Sequence, residues 1–142
     1  MHVFTYGTLM FPEVWQTVVG RPYRSIQGTA SGYAVFRVRD AVFPGIIAAR
    51  ANDSVRGVVY LDVDAQSLGR LDRFEDDFYR RAKITIDCDD GEHRPAEAYV
   101  VPFENLSVLT SEIWNAETFV TSGGLAEFIN RFAGFSRVAN HE

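Results

Sequence analysis

Apolar residues recur along this chain at two spacings, one typical of strands and one typical of helices. The opening segment, VFTYGTLM, reads as a short apolar strand that runs into Gly7 and Thr8. A helix is predicted next, because apolar residues recur at helical spacing from Phe11 to Val18 and Gly20 is placed to end it. The pattern therefore predicts a strand that passes into a helix through a loop containing glycine.

Further strands are predicted where apolar and polar residues alternate. They are residues 33–39, 57–63, 83–88 and 96–101. The turn Asp89–Glu92 joins the last two as an antiparallel hairpin. Ile84, Ile86 and Cys88 share one face of their strand, so we expect that face to be buried.

A helix near the end of the chain is predicted from apolar residues that would share one face. These residues are Leu125, Phe128, Ile129 and Phe132. Thr121 or Ser122 is expected to cap this helix and Gly134 to end it, so that it covers the core as a lid. The segment 104–118 has weak periodicity and is predicted to be a long connection.

Composition favours a single globular domain with an acidic surface. The strands and helices indicate a mixed α and β class, and 142 residues fit one domain, expected to span residues 1–142. Hydrophobic residues make up 46% of the chain, enough to offset the entropy of folding. Nineteen acidic and fourteen basic residues give a net charge of -5, which disfavours nucleic acids and anionic membranes as partners.

Few residues could ligate a metal. Cys88 is the only cysteine, so a disulfide within the chain and a cysteine cluster are both excluded, and the three histidines are far apart in sequence. We therefore expect no metal site. The N-terminus does not have the pattern of a signal peptide, and no apolar run of about 18 residues occurs, so a cytoplasmic location is expected.

Gly7 has two interpretations that the sequence leaves open. A glycine at a strand end often marks a turn whose backbone angles only glycine tolerates. Alternatively, such a loop exposes consecutive backbone N–H groups that can hold a carboxylate or an oxyanion. The loop lacks the glycine patterns of phosphate-binding and dinucleotide-binding turns, so it gives no support for nucleotide binding.

One acidic residue falls on the apolar face of a predicted helix in LGRLDRFEDDFYRR, residues 68–81. If the helix continues, Leu68, Leu71, Phe74 and Phe78 form a stripe, and Glu75 projects within about 50° of its centre. The three neighbouring acids point more than about 100° away from that centre, towards solvent. They are Asp72, Asp76 and Asp77.

Three explanations for the position of Glu75 remain open. The helix could end early and release Glu75 to water, or Glu75 could form a buried salt bridge with Arg80 or Arg81. In the third explanation, Glu75 is a catalytic acid whose pKa burial raises from about 4.3 towards about 6 to 7.

Several motifs taken together carry a family resemblance. They are FTYGTLM and PEVW at the start, FPGI at Phe43–Ile46, GVVYLDV leading to LDRFEDDFYRR, and AEAYVV, with weaker similarity over residues 114–132. The chain thereby resembles the AIG2-like branch of the gamma-glutamylcyclotransferase family. The resemblance implies an α+β fold, a small closed or nearly closed mixed β-barrel flanked by helices, with a cavity for a γ-glutamyl group.

The resemblance also implies roles for particular residues. Glu75 matches the catalytic acid/base of the family. The implied substrate-binding residues are Tyr6, Gly7, Thr8 and Leu9 in one loop, Pro44 and Gly45 near the cavity, and the aromatic positions Tyr79 and Tyr99. Members of this branch commonly carry a glycine directly after the glutamate, whereas here Asp76 and Asp77 follow. These two charges would raise the proton affinity of Glu75 or repel an anionic substrate.

The implied reaction is the cyclisation of a small γ-glutamyl compound to 5-oxoproline with release of an amine, without a metal or cofactor. Two other functions remain open. One is a non-catalytic module that binds a γ-glutamyl group or a partner with the same cavity. The other is an amide hydrolase in which Glu75 activates water, which the lack of a credible Ser/His/Asp or Cys/His set disfavours. The sequence indicates neither the physiological substrate nor the oligomeric state.

Overall fold

A computed structural model describes residues 1–141, apart from the side chains of residues 140 and 141. The strands of this region are β1 (Val3–Thr5), β2 (Ser25–Ser31), β3 (Tyr33–Val38), β4 (Pro44–Ala48), β5 (Ser54–Tyr60), β6 (Arg80–Cys88), β7 (His93–Val100) and β8 (Leu109–Ile113). The helices are α1 (Pro12–Val19), α2 (Ala65–Phe74), α3 (Ala116–Thr121), α4 (Gly124–Arg131) and α5 (Ala133–His141). Short 3-10 helices occupy Thr8–Met10 and Phe103–Val108.

The strands form a closed barrel with an extension. The ring runs in the order β1, β5, β2, β6 and β7, and a parallel pairing of Val3 with Glu97 joins β7 back to β1. From β7 the sheet continues outwards through β4, β3 and β8, with β4 parallel to β7. Parallel and antiparallel pairs thus occur in one sheet, which confirms the predicted α+β fold built on a small mixed β-barrel.

Alternation along the strands fills the barrel. In β6, Ile84, Ile86 and Cys88 are buried as predicted, and the residues between them are exposed. Phe4 and Val59, which pair across the neighbouring ring strands β1 and β5, join the same apolar cluster. Each such large side chain stabilises the folded state by about 1.5 to 3 kcal/mol through removal of apolar surface from water.

Helices pack on the outside of the barrel around a second apolar cluster. Trp15 of α1 stacks on Tyr60 of β5 with 3.6 Å between ring centroids, and α1 ends at Gly20 as predicted. Leu71 and Phe74 of α2 and Phe128 of α4 belong to the same cluster. None of the helices within residues 1–141 is both long and apolar enough to cross a membrane.

The last part of the chain differs from the prediction. The segment 104–118 is not a single connection, because it contains most of a 3-10 helix, all of β8 and the start of α3. Thr121 and Ser122 do not cap α4: they end α3, and Gly123 with a φ of 83° precedes α4. A chain reversal at this left-handed glycine separates two helices that the sequence pattern did not distinguish.

Gly134 does not end a helix either. The α4 helix ends at Phe132, and Gly134 lies near the start of α5. A Cβ atom at Gly134 would lie 2.3 Å from the backbone oxygen of Phe74, so the glycine allows α5 to approach the end of α2. Close packing between helices therefore explains this glycine.

Candidate active site

The loop after β1 lies against β4. Gly7 has a φ of -130° and a ψ of -128°, so it is not in the left-handed conformation. A Cβ atom at Gly7 would lie 2.7 Å from Cγ of Pro44. Glycine is therefore required because the loop contacts Pro44, and this contact places Tyr6–Leu9 and Pro44 in the wall of one cavity.

The 3-10 helix Thr8–Met10 orients the backbone of this loop. The N–H of Met10 donates to the carbonyl of Gly7 at 3.1 Å, and the N–H of Phe11 donates to that of Thr8 at 3.2 Å. The first N–H groups of a helix have no partner within it. The N–H groups of Thr8 and Leu9 are thus not used by the turn, and Thr8 and Leu9 both line the cavity.

Glu75 directly follows α2, at the point where the backbone becomes extended. Its φ and ψ are -74° and 147°, and its N–H donates to the carbonyl of Leu71 at 3.1 Å. The helix therefore ends before Phe78, and that part of the predicted apolar stripe is wrong. The early end does not release Glu75 to bulk water, because its partly buried side chain lines the same cavity as the Tyr6–Leu9 loop.

Among the described side chains, no cation forms an ion pair with Glu75. Arg80 pairs with Glu104 at 2.6 Å and Arg81 with Asp72 at 2.9 Å, so the predicted alternative of a salt bridge to Arg80 or Arg81 is wrong. Within the described part of the chain, the Glu75 carboxyl has neither an ion pair nor a hydrogen bond. An unpaired carboxyl in an apolar wall favours its neutral form.

Burial raises the pKa of Glu75 to about 8, above the range of about 6 to 7 expected from the sequence. The negative charges of Asp76 and Asp72 contribute to this rise, and the positive charge of Arg137 opposes it. The charge of Asp76 thus raises the pKa of Glu75, in the predicted direction, although desolvation is the larger cause.

Tyrosine hydroxyls tie the walls of the cavity together. Tyr6 donates to the carbonyl of Tyr99 at 2.5 Å, Tyr79 donates to the carbonyl of Pro44 at 2.5 Å, and Tyr99 donates to Oδ1 of Asp72 at 2.6 Å. Burial raises the pKa of all these tyrosines well above the usual value, so they remain protonated donors. Each hydroxyl proton is committed to the protein, which leaves only lone pairs and ring faces for a ligand.

Aromatic rings form much of the cavity wall. Its volume is about 30 Å³, and its wall includes Phe4, Phe43, Phe74, Phe128 and Phe132. Phe128 and Phe132 stack at 4.7 Å between centroids, and both contact Phe43 edge to face. The predicted lid helix thus contributes to this wall. The sequence pattern did not assign these rings to the site, because an apolar position in a pattern has the same appearance whether it faces a core or a cavity.

Gly45 is not in the wall of this cavity, in contrast to the other residues that the resemblance implied. A Cβ atom there would lie 2.6 Å from Cγ2 of Val101 and 3.4 Å from the ring of Tyr79. Gly45 therefore lets β4 pack closely behind the site.

A second cavity adjoins the first. It has a volume of about 550 Å³ and shares Phe43, Phe128 and Phe132 with the first cavity. Its polar lining residues are Arg37, Asp40, Asp76, Glu127 and Arg131. The shared aromatic rings lie between a small cavity that contains Glu75 and a larger one.

A small mixed barrel that places a glycine loop and Glu75 in the wall of one cavity is the arrangement expected of the gamma-glutamylcyclotransferase-like class. The family model described as "Gamma-glutamyl cyclotransferase, AIG2-like" matches residues 3–116, and the chain belongs to this family. The match ends before α4 and α5, which supply Phe128 and Phe132 to the cavity and Arg137 beside Glu75.

Curated relatives and solved structures agree with this family. AIG2-like protein D of Arabidopsis thaliana is 33% identical over 87 residues, which cover 61% of this chain and 57% of that protein. AIG2-like protein C of the same plant is 31% identical over 99 residues, covering 69% of this chain and 57% of that protein. The chain thus spans less than two thirds of the length of these relatives.

The likeness to solved structures concerns the fold. A solution structure from Arabidopsis thaliana has a TM-score of 0.70 at 22% identity, over 91% of this chain and 77% of that one. A yeast gamma-glutamyl cyclotransferase described as specific to glutathione has a TM-score of 0.63 at 10% identity, over 100% of this chain and 96% of that one.

Proposed function

We propose that this protein cyclises the γ-glutamyl group of a small γ-glutamyl amino acid or amine to 5-oxoproline and releases the amine. The observation that carries this proposal is the unpaired Glu75, with its pKa raised to about 8 by burial, in a cavity shared with the Tyr6–Leu9 loop. Membership of the family supports the reaction type.

Glu75 is suited to move the one proton that this reaction transfers. The substrate α-amine attacks its own γ-carbonyl carbon, so a carbon–nitrogen bond forms and the ring closes. Glu75 in its ionised form takes the proton from the attacking nitrogen and returns it to the leaving nitrogen as the original amide bond breaks. An α-amine has a reference pKa of about 7.7 to 8.0. A carboxyl with a pKa of about 8 therefore exchanges a proton with it at little energetic cost.

The Tyr6–Leu9 loop is suited to hold the α-carboxylate of the substrate. In our proposal, the N–H groups of Thr8 and Leu9, which the 3-10 turn does not use, donate to that carboxylate. Fixing the carboxylate bends the γ-glutamyl chain towards ring closure, for which intramolecular effective molarities reach about 10⁵ to 10⁸ M. The tyrosines shape this space through their rings, since their hydroxyl protons are already donated within the protein.

Substrate entry requires the aromatic wall to move. A volume of about 30 Å³ suits about two water molecules and is too small for a γ-glutamyl group. Displacement of Phe128 and Phe132 would join this space to the adjoining cavity of about 550 Å³. In our proposal the γ-glutamyl group occupies the enlarged inner cavity and the leaving amine lies in the outer one.

The product distinguishes the proposed reaction from the alternatives. Purified protein is incubated with a panel of γ-glutamyl amino acids and γ-glutamyl amines, and products are separated by liquid chromatography. We expect 5-oxoproline together with an equal amount of amine. Free glutamate instead would indicate a hydrolase, and binding without any product would indicate a recognition module.

We expect the activity to survive exhaustive treatment with EDTA followed by desalting. Proton transfer and ring closure in the proposed mechanism use Glu75 and backbone N–H groups, without a Lewis acid. Initial rates before and after treatment provide the measurement. Loss of activity on chelation, with recovery on adding a divalent ion, would show that the mechanism is wrong.

Gly7→Ala is expected to weaken substrate binding more than stability. The new Cβ atom would lie 2.7 Å from Cγ of Pro44, so the loop must shift and carry the N–H groups of Thr8 and Leu9 with it. We expect KM to rise about tenfold, equivalent to about 1.4 kcal/mol. The denaturation midpoint is measured alongside, and Gly20→Ala is the control, because φ is 73° there and no atom lies within 4 Å of the added Cβ. That control should lose about 1 kcal/mol of stability without a change in KM.

A substrate analogue tests the role of the carboxylate in the Gly7→Ala experiment. The 4-aminobutyryl amide of the same amine keeps the attacking nitrogen and the carbonyl but lacks the α-carboxylate. We expect this analogue to be turned over more slowly than the substrate, and at the same rate by the parent protein and by Gly7→Ala. Equal losses for both compounds, with a lowered midpoint, would mean that Gly7 has a structural role only.

A further inference from the structure

The end of α2 is held by a side chain from the C-terminal helix. Nε of Arg137 in α5 donates to the carbonyl of Arg73 at 2.8 Å. Nη2 of the same guanidinium donates to the carbonyl of Phe74 at 2.7 Å and to Oδ1 of Asp76 at 2.9 Å. The last carbonyls of a helix have no partner within it, and α2 lacks a glycine cap, so Arg137 satisfies these groups.

These contacts surround the attachment point of Glu75. The carbonyl of Phe74 belongs to the peptide group that joins Phe74 to Glu75, and Asp76 is the next residue along the chain. One planar guanidinium therefore fixes the backbone that precedes Glu75 and also bonds the side chain of the residue that follows it. Close packing at Gly134, where a Cβ atom would lie 2.3 Å from the oxygen of Phe74, brings α5 near enough for these bonds.

We propose that Arg137 is a positioning residue of the active site, because it fixes the backbone from which Glu75 projects into the cavity. The consequence for catalysis rests on the proposed function, whereas the effect on Glu75 itself does not. Since the residue belongs to α5, the C-terminal helices complete a site whose other parts lie in the segment matched by the family model.

Arg137 also sets the charge around Glu75. The ionised groups that face the carboxyl are Asp72 from α2, Asp76 from the following loop and Arg137 from α5, and the neighbouring tyrosines remain neutral. Arg137 lowers the pKa of Glu75 while both aspartates raise it. Removal of the guanidinium would leave the charge of Asp76 unopposed, so Glu75 would ionise at a higher pH.

Position and charge can be separated by two substitutions. Arg137→Gln removes the charge and the fork of donors, whereas Arg137→Lys keeps the charge but cannot bond the two carbonyls and the carboxylate in one plane. The side chain of Arg137 is 39% exposed, so neither change opens a large void in the core. Arg80→Gln is the charge-matched control, because Arg80 pairs with Glu104 and is 64% exposed.

The test measures the titration of Glu75 directly, by NMR of protein labelled with ¹³C at glutamate carboxyls, with the signal assigned from its absence in Glu75→Gln. We expect the midpoint to move to higher pH in Arg137→Gln and to stay near that of the parent protein in Arg137→Lys and Arg80→Gln. With the best substrate of the panel, kcat of Arg137→Lys should fall about ten- to a hundredfold with little change in KM. A purely structural role would lower the denaturation midpoint without moving the titration of Glu75.

An unchanged Glu75 midpoint in folded Arg137→Gln would overturn the inference, and so would a parent-like kcat in Arg137→Lys. If Arg137→Gln does not fold, Arg137→Lys still decides between the two outcomes through kcat. If the parent protein turns over no member of the panel, the proposed function fails. The NMR titration of Glu75 in Arg137→Gln then decides the inference about Arg137. If Arg137→Gln is unfolded, the chemical shift of the Glu75 carboxyl in Arg137→Lys decides it instead. Because the midpoint reports charge and the chemical shift reports position, a Glu75 carboxyl chemical shift in Arg137→Lys identical to that of the parent protein would then overturn the inference.

Discussion

Replacement of Glu75 by Gln is expected to abolish formation of 5-oxoproline while the fold is retained. The amide has nearly the same shape as the carboxyl but cannot accept a proton from the attacking amine. General acid–base catalysis contributes about 10²- to 10⁴-fold to a rate, so a loss of at least about a hundredfold is expected. Initial rates with the best substrate measure the loss, and circular dichroism checks the fold.

Asp77→Asn is the matched control for Glu75→Gln. Asp77 lies in the same loop and is exposed, so its neutralisation should leave the rate within about threefold of the parent protein. Asp76 is a poorer control, because it pairs with Arg137 and affects the pKa of Glu75. Activity of Glu75→Gln within about tenfold of the parent, or about 1.4 kcal/mol of barrier, would falsify the catalytic assignment.

The stability of the parent protein is expected to fall relative to that of Glu75→Gln as the pH rises. The pKa of Glu75 is about 8 in the folded state, whereas an unfolded glutamate titrates near about 4.3. Between these values the folded state holds one proton more than the unfolded state, so raising the pH favours unfolding. The contribution is fully present below about pH 4.3 and is lost by about pH 8, at up to about 1.4 kcal/mol per pH unit.

Urea denaturation of both proteins at a series of pH values from about 5 to 9 measures this effect. The difference in free energy of unfolding, parent minus variant, cancels the titration of groups that both proteins share. It should decrease by a few kcal/mol in total and level off above about pH 8. A difference that stays constant across this range would mean that Glu75 ionises normally in the folded protein. That result would also remove the match between its pKa and that of the substrate amine.

In our proposal, the arrangement around Glu75 links catalysis to the C-terminal helices. The α4 helix supplies Phe128 and Phe132 to the aromatic wall, and α5 supplies Arg137 to the end of α2. Arg137 lies 5.5 Å from the ring centroid of Phe132, so the residue that positions Glu75 also contacts a ring that must move for substrate to enter. In our proposal, opening of the wall and orientation of the catalytic carboxyl are therefore coupled.

Local pattern predicted those elements whose residues alternate or recur strongly. The hairpin of β6 and β7 and the helix α1 were predicted close to their observed bounds, because their buried faces are regular. Three strands of the sheet, β2, β4 and β8, were not predicted. The β4 strand has the sequence PGIIA, in which a proline and a glycine precede a short apolar run. The β2 strand has the mainly small and polar sequence SIQGTAS, and β8 buries only Leu109, since it lies at an edge of the sheet.

The sequence by itself determined the α+β class, the family resemblance and the identity of the one acidic residue that breaks an apolar pattern. Periodicity and motif spacing depend on neighbouring residues, and these are read directly from the chain. Tertiary structure decided why Gly7 and Gly134 are glycines, because their contacts with Pro44 and Phe74 join segments far apart in sequence. It also decided that α2 ends at Phe74 and that Arg137 holds this end, since desolvation and ion pairing depend on which distant groups the fold brings beside Glu75.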